Sequence, residues 1–366
     1  MKQDWEKLNF AVGPVMSGEE VLEVASRNAP YFRTAEFSKI MLECEQNVLS
    51  VADAPEGSRV IFLTGSGTAG MEAAVLNTLS KDDKALIVKG GSFGARFCEI
   101  CDALSVEYEA IELEAGKTLK AEHLEKYEND GSFTAFIVNL GETSTGVLYD
   151  IDLISEFCNR NRLFLIVDAV SAFLADDFSM KKSNVGAMIT GSQKALATMP
   201  GVALVTLSPK GIERVEKKTI PSLYFNFKNY LKDGERGQTP FTPAVSTLLQ
   251  IAARMDKIIK KGGRKFECEK TERLAKYFRS RLSGYPFEMF AETPSNAVTS
   301  LKVLGDNSAV TIFETLKNEY DIFVCPNGGA LKETVFRVGH IGSLCEADYD
   351  KLFAALNDMM KRGVVK

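Results

Sequence analysis

The sequence predicts an α/β fold: a mostly parallel seven-stranded sheet sandwiched by helices, followed by a smaller C-terminal α/β unit. Three observations carry that expectation. Seven short apolar runs, at 60–63, 85–88, 106–111, 135–139, 164–167, 188–190 and 203–207, alternate with amphipathic helical stretches, the pattern of successive βαβ units. Glycines and small polar residues gather directly after these runs, where the carboxyl ends of parallel strands place ligand-binding loops. Beyond Pro209 the texture turns charged and aromatic, and a shorter set of strands and helices follows.

Asn9-Phe-Ala-Val-Gly-Pro-Val15 is an extended apolar lead-in broken at Gly13-Pro14, a turn signal. A helix near 19–27 and another reaching about 52 flank an aromatic, charged loop from Pro30 to Phe37. Its Arg33 is either a substrate contact or a surface partner of Glu36. Val60-Ile-Phe-Leu-Thr-Gly-Ser-Gly-Thr-Ala-Gly-Met71 reads as strand, glycine turn and then a helix over 72–79. A further helix covers 95–104. After a polar loop from Asp233 to Pro243, helices over 244–260 and 266–282 lead to strands near 297–303, 323–325 and 335–338, with helices near 310–320 and 346–362. The expected division is a large unit over 15–243 and a small one made of 1–14 and 244–366.

At 366 residues the chain can bury about three quarters of its unfolded surface. A net charge of −5 with acids and bases interspersed leaves no basic footprint for nucleic acid. No apolar run approaches the roughly 18–20 residues of a membrane-spanning helix, and the segment from Met1 to Phe10 lacks a signal peptide's apolar core. Seven scattered cysteines, odd in number, speak against a disulfide framework and for a reducing compartment, so a cytoplasmic protein is expected. His123 and His340 are the only histidines, too few for a histidine-rich metal centre. Cys98 and Cys101 lie within one helical stretch without a second pair, which reads as core packing.

Chemistry concentrates around Ala187-Met-Ile-Thr-Gly-Ser-Gln-Lys-Ala-Leu-Ala197, which delivers one lysine, Lys194, into apolar and small surroundings. An ammonium there is costly, so such a lysine has a lowered pKa or is consumed in a covalent bond, the route by which amines form Schiff bases. The apolar run of Leu163-Phe-Leu-Ile-Val-Asp-Ala169 ends on a carboxylate, Asp168. The loop from Gly65 to Gly70, ahead of a helix, turns backbone N–H groups and a helix N-terminus toward one spot, an anion site. A lysine for a Schiff base, a carboxylate for a pyridinium nitrogen and a phosphate cradle are together what pyridoxal phosphate needs. Phe93 either stacks on a flat ring or fills the core. Thr143 and Ser144 offer hydroxyls to a ring oxygen or cap a turn before Gly146, while Thr190, Ser192 and Gln193 can extend the cradle. Arg337, within Phe336-Arg-Val-Gly-His-Ile-Gly342, either grips a carboxylate or phosphonate bidentately or forms a structural ion pair.

Assembled, these residues resemble the class V aminotransferases of the pyridoxal phosphate fold type I superfamily. The resemblance is to the alanine:glyoxylate, serine:pyruvate and 2-aminoethylphosphonate:pyruvate transaminase branch. It rests on Gly13-Pro14, Thr64-Gly-Ser-Gly-Thr68, Gly91-Ser-Phe-Gly-Ala-Arg96, Glu142-Thr-Ser-Thr-Gly-Val147, Val167-Asp-Ala-Val-Ser171, Gly191-Ser-Gln-Lys194 and Arg337-Val-Gly-His-Ile-Gly342. It implies Lys194 as the Schiff-base lysine and proton carrier, Asp168 as partner of the pyridinium proton, Phe93 as the stacking ring and Thr143 beside the phenolic oxygen. It also implies phosphate contacts from Ser66, Gly67, Thr68 and Gln193, with Thr242 supplied by the second subunit of a homodimer, and Arg337 as the carboxylate ligand. The implied reaction is a ping-pong transfer of an amino group from alanine, serine or 2-aminoethylphosphonate to glyoxylate or pyruvate. Arg33 and Arg236 are candidates to hold a phosphonate beside Arg337.

Two rival chemistries share parts of this pattern. Gly65-Ser-Gly-Thr-Ala-Gly70 matches G-x-G-x-x-G, yet the acid a nicotinamide-dependent dehydrogenase needs about 20 residues on is replaced by Lys89-Gly90. A lyase or cysteine desulfurase of the same fold needs a nucleophilic cysteine, for which Cys325 and Cys345 are available. Phe93 stands where the desulfurases carry a ring-stacking histidine. A non-catalytic interaction protein is disfavoured by an intact Lys194 and Asp168.

Overall fold

The seven predicted runs form one sheet. The computed structural model, which describes residues 3–366, builds it from β1 (Arg59–Thr64), β2 (Lys84–Lys89), β3 (Glu107–Glu112), β4 (Ala135–Asn139), β5 (Phe164–Asp168), β6 (Ala187–Gly191) and β7 (Val202–Leu207). The order across the sheet is β1-β7-β6-β5-β4-β2-β3. Strand β7 runs antiparallel to both neighbours, and every other pair is parallel. Strands β4, β5 and β6 are buried at every position, which is why they read as unbroken apolar runs rather than as alternation. Their side chains feed two cores, with Phe136, Val138, Leu165 and Val167 on one face and Ile137, Ile166 and Ile189 on the other. Each such Ile, Leu or Phe contributes about 1.5–3 kcal/mol by leaving water.

The helices that follow β1 and β2 begin earlier than the sequence predicts. Helix α1 spans Gly67–Thr78 rather than 72–79, and α2 spans Ser92–Leu104 rather than 95–104. In both, residues that read as a loop form the cap and first turn. Ser66 caps α1 by accepting from the Ala69 N–H at 3.4 Å. Gly70 lets α1 press onto the sheet, since a Cβ there would lie 3.0 Å from the side chains of Ala203 and Ile189. Cys98 and Cys101, both free, pack from α2 into the second core.

Helix α3 (Val245–Lys260) packs Leu248, Ile251 and Met255 into the first core, and α4 (Gly263–Arg279) carries Leu274 and Phe278 into a third. That third core lines an antiparallel sheet of β8 (Phe287–Met289), β9 (Val298–Val303), β10 (Cys325–Pro326) and β11 (Val335–Gly339), in the order β8-β9-β11-β10. The strand expected near 323–325 is two pieces: Ile322–Phe323 pairs with Leu8–Asn9, and Cys325–Pro326 pairs with β11. From Leu8–Asn9 the chain runs as a strap along the small sheet, where the Gly339 N–H donates to Phe10 O at 2.7 Å. It reaches the β6–β7 loop through Val15 N–H to Gln193 O at 3.3 Å. Among the described residues no helix is long and apolar enough to cross a membrane.

Candidate active site

Strands β1, β2, β4, β5 and β6 point their carboxyl ends to one edge, so residues far apart in sequence meet there. Lys194 is the third residue after β6 and is 7% exposed. Its loop is closed by Ser192 N–H to Val202 O at 2.9 Å, Ser192 Oγ to Met199 O at 2.8 Å and Thr198 Oγ1 to Ser192 O at 2.9 Å. Ser192 therefore serves this turn rather than the phosphate cradle. The strap lies against the lysine: a Cβ on Gly13 would come within 2.7 Å of Lys194 Cδ and 3.2 Å of Nζ. Burial lowers the Lys194 pKa to about 8, helped by the Arg337 charge and opposed by Cys325, Asp168 and Glu142.

Asp168 is buried at the end of β5. Its Oδ1 accepts from Val170 N–H at 2.8 Å and its Oδ2 from Asn139 Nδ2 at 2.7 Å. Burial raises its pKa to about 6; those two hydrogen bonds and Lys194 oppose the shift, and the Glu142 charge adds to it. Above that pH the carboxylate is ionised and able to hold a proton on a facing ring nitrogen.

Glu142, which the sequence placed in a motif without a role, is a second buried carboxylate. One oxygen accepts from the Phe93 and Gly94 N–H groups, each at 3.1 Å, and the other from the Ser144 N–H at 3.1 Å and from the Ser144 hydroxyl. It thereby plugs the N-terminus of α2 and fixes half-buried Phe93. Ser144 is turned to Glu142 and to the Ser92 N–H, away from the role of a ring-oxygen donor. Thr143 donates to Ser171 Oγ at 2.9 Å, and its carbonyl accepts from Arg337 Nη1 at 2.8 Å. Arg337 also donates to Pro326 O at 2.6 Å, while its buried Nε has no partner among the described residues.

At the end of β1, the N–H groups of Gly67 and Thr68 meet no acceptor among the described residues, leaving the N-terminus of α1 open to an anion. Thr68 Oγ1 accepts from Arg96 Nη1 at 3.2 Å. Gln193 is half-buried beside the lysine. Thr242 is exposed, on a segment tied to the same strand end by Ala244 N–H to Thr64 Oγ1 at 3.0 Å. Next to it Phe241 stacks on Tyr224, with centroids 5.2 Å apart. The other two arginine candidates are engaged elsewhere: Arg33 donates to Gln238 Oε1 at 3.1 Å and Thr239 O at 2.8 Å, and Arg236 pairs with Asp233. His340 is buried in the small unit between Thr299 and Tyr349. Among the described residues no cluster of His, Cys, Asp or Glu is suited to a metal.

The sequence profile of the class-V aminotransferases matches residues 22–328. The chain is 30% identical to the soluble hydrogenase 42 kDa subunit of Anabaena cylindrica, covering 94% of this chain and 90% of that one. It is 27% identical to the L-aspartate–glyoxylate aminotransferase of Paracoccus denitrificans, covering 92% and 87%. Its fold is similar to that of pyridoxamine-pyruvate aminotransferase from Mesorhizobium loti, with a TM-score of 0.92 at 20% identity over 98% and 93% of the two chains. An α/β enzyme with a lysine and a carboxylate at adjoining strand ends is thus placed in a family: the chain belongs to the class V aminotransferases. It is a transaminase with pyridoxal phosphate as its cofactor. The G-x-G-x-x-G match at 65–70 is the cap and first turn of α1, not a dinucleotide fingerprint.

Proposed function

We propose that the enzyme transfers an amino group from a small donor, alanine, serine or 2-aminoethylphosphonate, to glyoxylate or pyruvate in a ping-pong sequence. The observation that carries this reading is the buried Lys194 amine, with its pKa lowered to about 8, beside the ionisable Asp168. The site suits the cofactor in three places: a buried amine with its pKa lowered to about 8, two N–H groups of α1 that meet no acceptor among the described residues and the Nε of Arg337, unpartnered among those residues. When bound, pyridoxal phosphate supplies an aldehyde that exchanges amines and a ring that takes up an electron pair.

The chain's own groups divide the remaining work. Lys194, a nucleophile once deprotonated, holds the cofactor and afterwards takes the Cα proton of the donor at its Nζ. Asp168 would keep the ring nitrogen protonated, Phe93 would stack on the ring and Thr143 would border the phenolic oxygen. Ser66, Gly67, Thr68 and Gln193 hold the phosphate, with Thr242 contributed by the second copy of a homodimer. Arg337, its plane set by the carbonyls of Thr143 and Pro326, offers Nε and one Nη to the substrate carboxylate. The Gly13 strap keeps water from the lysine.

Support for glyoxylate as acceptor comes from the likeness to the L-aspartate–glyoxylate aminotransferase of Paracoccus denitrificans. The homodimer rests on the family resemblance that gives Thr242 to the site of the neighbouring copy, and exposed Thr242 is free to face such a copy. Seven free cysteines support a cytoplasmic setting. We place the boundary between the two units at residues 14 and 243, with α3 as the linker lying on the large core. A desulfurase reaction finds less support, because Cys325 is fixed in β10 and Cys345 caps the helix Glu346–Lys361.

The test is the visible spectrum of the protein with pyridoxal phosphate, before and after each donor. A cofactor band that one donor bleaches, absent from the Lys194→Ala variant, is the expected result. A protein that stays spectrally silent with added cofactor overturns the reading.

A further inference from the structure

Arg96, the fifth residue of α2, is a half-buried cation that the site described above does not use. Its Nη1 donates to Thr68 Oγ1 at 3.2 Å, and its guanidinium carbon lies 4.8 Å from the centroid of the Phe93 ring. One side chain thus touches both the open N-terminus of α1 and the aromatic wall. Among the described residues no carboxylate pairs with it, in a chain that holds 49 acidic residues. Its nearest helix end carries partial charge of its own sign. This half-buried guanidinium beside the open helix end touches a hydroxyl and a ring, and among the described residues has no carboxylate partner, so its charge is available to an anion bound there.

We propose that Arg96 is a ligand of the cofactor phosphate, adding a full positive charge to the cradle formed by Ser66, Gly67 and Thr68. This rests on the reading that the Lys194 site holds pyridoxal phosphate. A dianion placed there meets two free N–H groups and a guanidinium that is already docked on the cradle's own hydroxyl. The geometry also links the phosphate end of the site to the ring end, because Arg96 packs on Phe93.

The experiment compares two aldehydes that differ only in the phosphate. Cofactor-free wild type, Arg96→Met and Arg96→Lys are titrated with pyridoxal phosphate and with pyridoxal, and imine absorbance at Lys194 reports binding. Arg96→Met is expected to weaken pyridoxal phosphate by about 10- to 100-fold, the worth of one charge-assisted hydrogen bond, while pyridoxal binding is unchanged. Arg96→Lys recovers part of the loss. Thermal protection by inorganic phosphate, present in cofactor-free wild type and reduced in Arg96→Met, gives a readout independent of the imine. Parallel weakening of both aldehydes, or no weakening of either, overturns the assignment. A wild type that forms no imine with either aldehyde refutes the transaminase site itself, a separate failure.

Discussion

Helices α1 and α2 aim their N-termini at the same site and end in opposite ways. The N-terminus of α2 is closed from within by Glu142, whose carboxylate takes the Phe93 and Gly94 N–H groups. The N-terminus of α1 leaves the Gly67 and Thr68 N–H groups without an acceptor among the described residues and has a guanidinium beside it. One helix end is already neutralised by a carboxylate of the protein, and the other awaits a charge from outside. Two adjacent positive ends left open would compete for one phosphate, so plugging the second assigns the anion to the first.

Breaking the plug is the largest intervention. Glu142→Gln keeps one acceptor oxygen but presents an amide nitrogen to the remaining groups that need an acceptor, and is expected to lower stability by about 1–3 kcal/mol. A thermal melt of the cofactor-free protein within a degree or two of wild type would show that the carboxylate is not the keystone of α2. Asp168→Asn sharpens the contrast between a carboxylate with four donors and one with two. Because burial raises the Asp168 pKa to about 6, the fold binds that proton more tightly than the unfolded chain, so stability falls as pH rises from roughly 4 to 6. The neutral amide removes this cost, and Asn139 can turn its unpartnered Oδ1 toward it. Denaturant titration at pH 7 to 8 should find the cofactor-free variant more stable, on the order of 1–3 kcal/mol, with turnover abolished. A less stable variant contradicts the assigned pKa direction.

The lysine gives a kinetic version of the same comparison. With a pKa near 8, imine formation in the cofactor-free protein should accelerate about tenfold per pH unit up to that value and then level off. Stopped-flow absorbance across pH 6 to 10 measures it, and a rate still climbing at pH 10 would mean an unperturbed lysine. The smallest effect belongs to the open helix end. Ser66→Ala should cost about 0.5–2 kcal/mol of stability as a lost cap, with affinity for pyridoxal phosphate falling in the same titration used for Arg96. A variant with the stability and affinity of wild type would exclude Ser66 from both tasks.

The strands and the two ionisable residues at their ends were legible because burial on both faces leaves a local mark, an apolar run ending on a charge. Lys194 and Asp168 stand out for that reason. What stayed hidden is non-local. Glu142 meets α2 from 48 residues away, Gly13 meets Lys194 from the N-terminal strap, and Arg96 finds Thr68 across 28 residues. No periodicity encodes such meetings. The helix starts were misplaced for a different reason, since Gly67 and Ser92 have weak helical propensity and only their caps and surroundings hold them in the first turn. The glycine at 70 read as part of a turn and proved to be where a helix rests on the sheet.

The reversed direction of β7 has its own consequence for Lys194. Because β7 returns beside β6, the lysine rides on a short loop stitched at its mouth by Ser192 and Val202. In the proposed cycle Lys194 lets go of its partner and recaptures it, and it does so on a leash of about ten residues anchored at both ends. Its amine searches a small volume between release and return, so rebinding behaves as an encounter at high local concentration rather than a search through solvent.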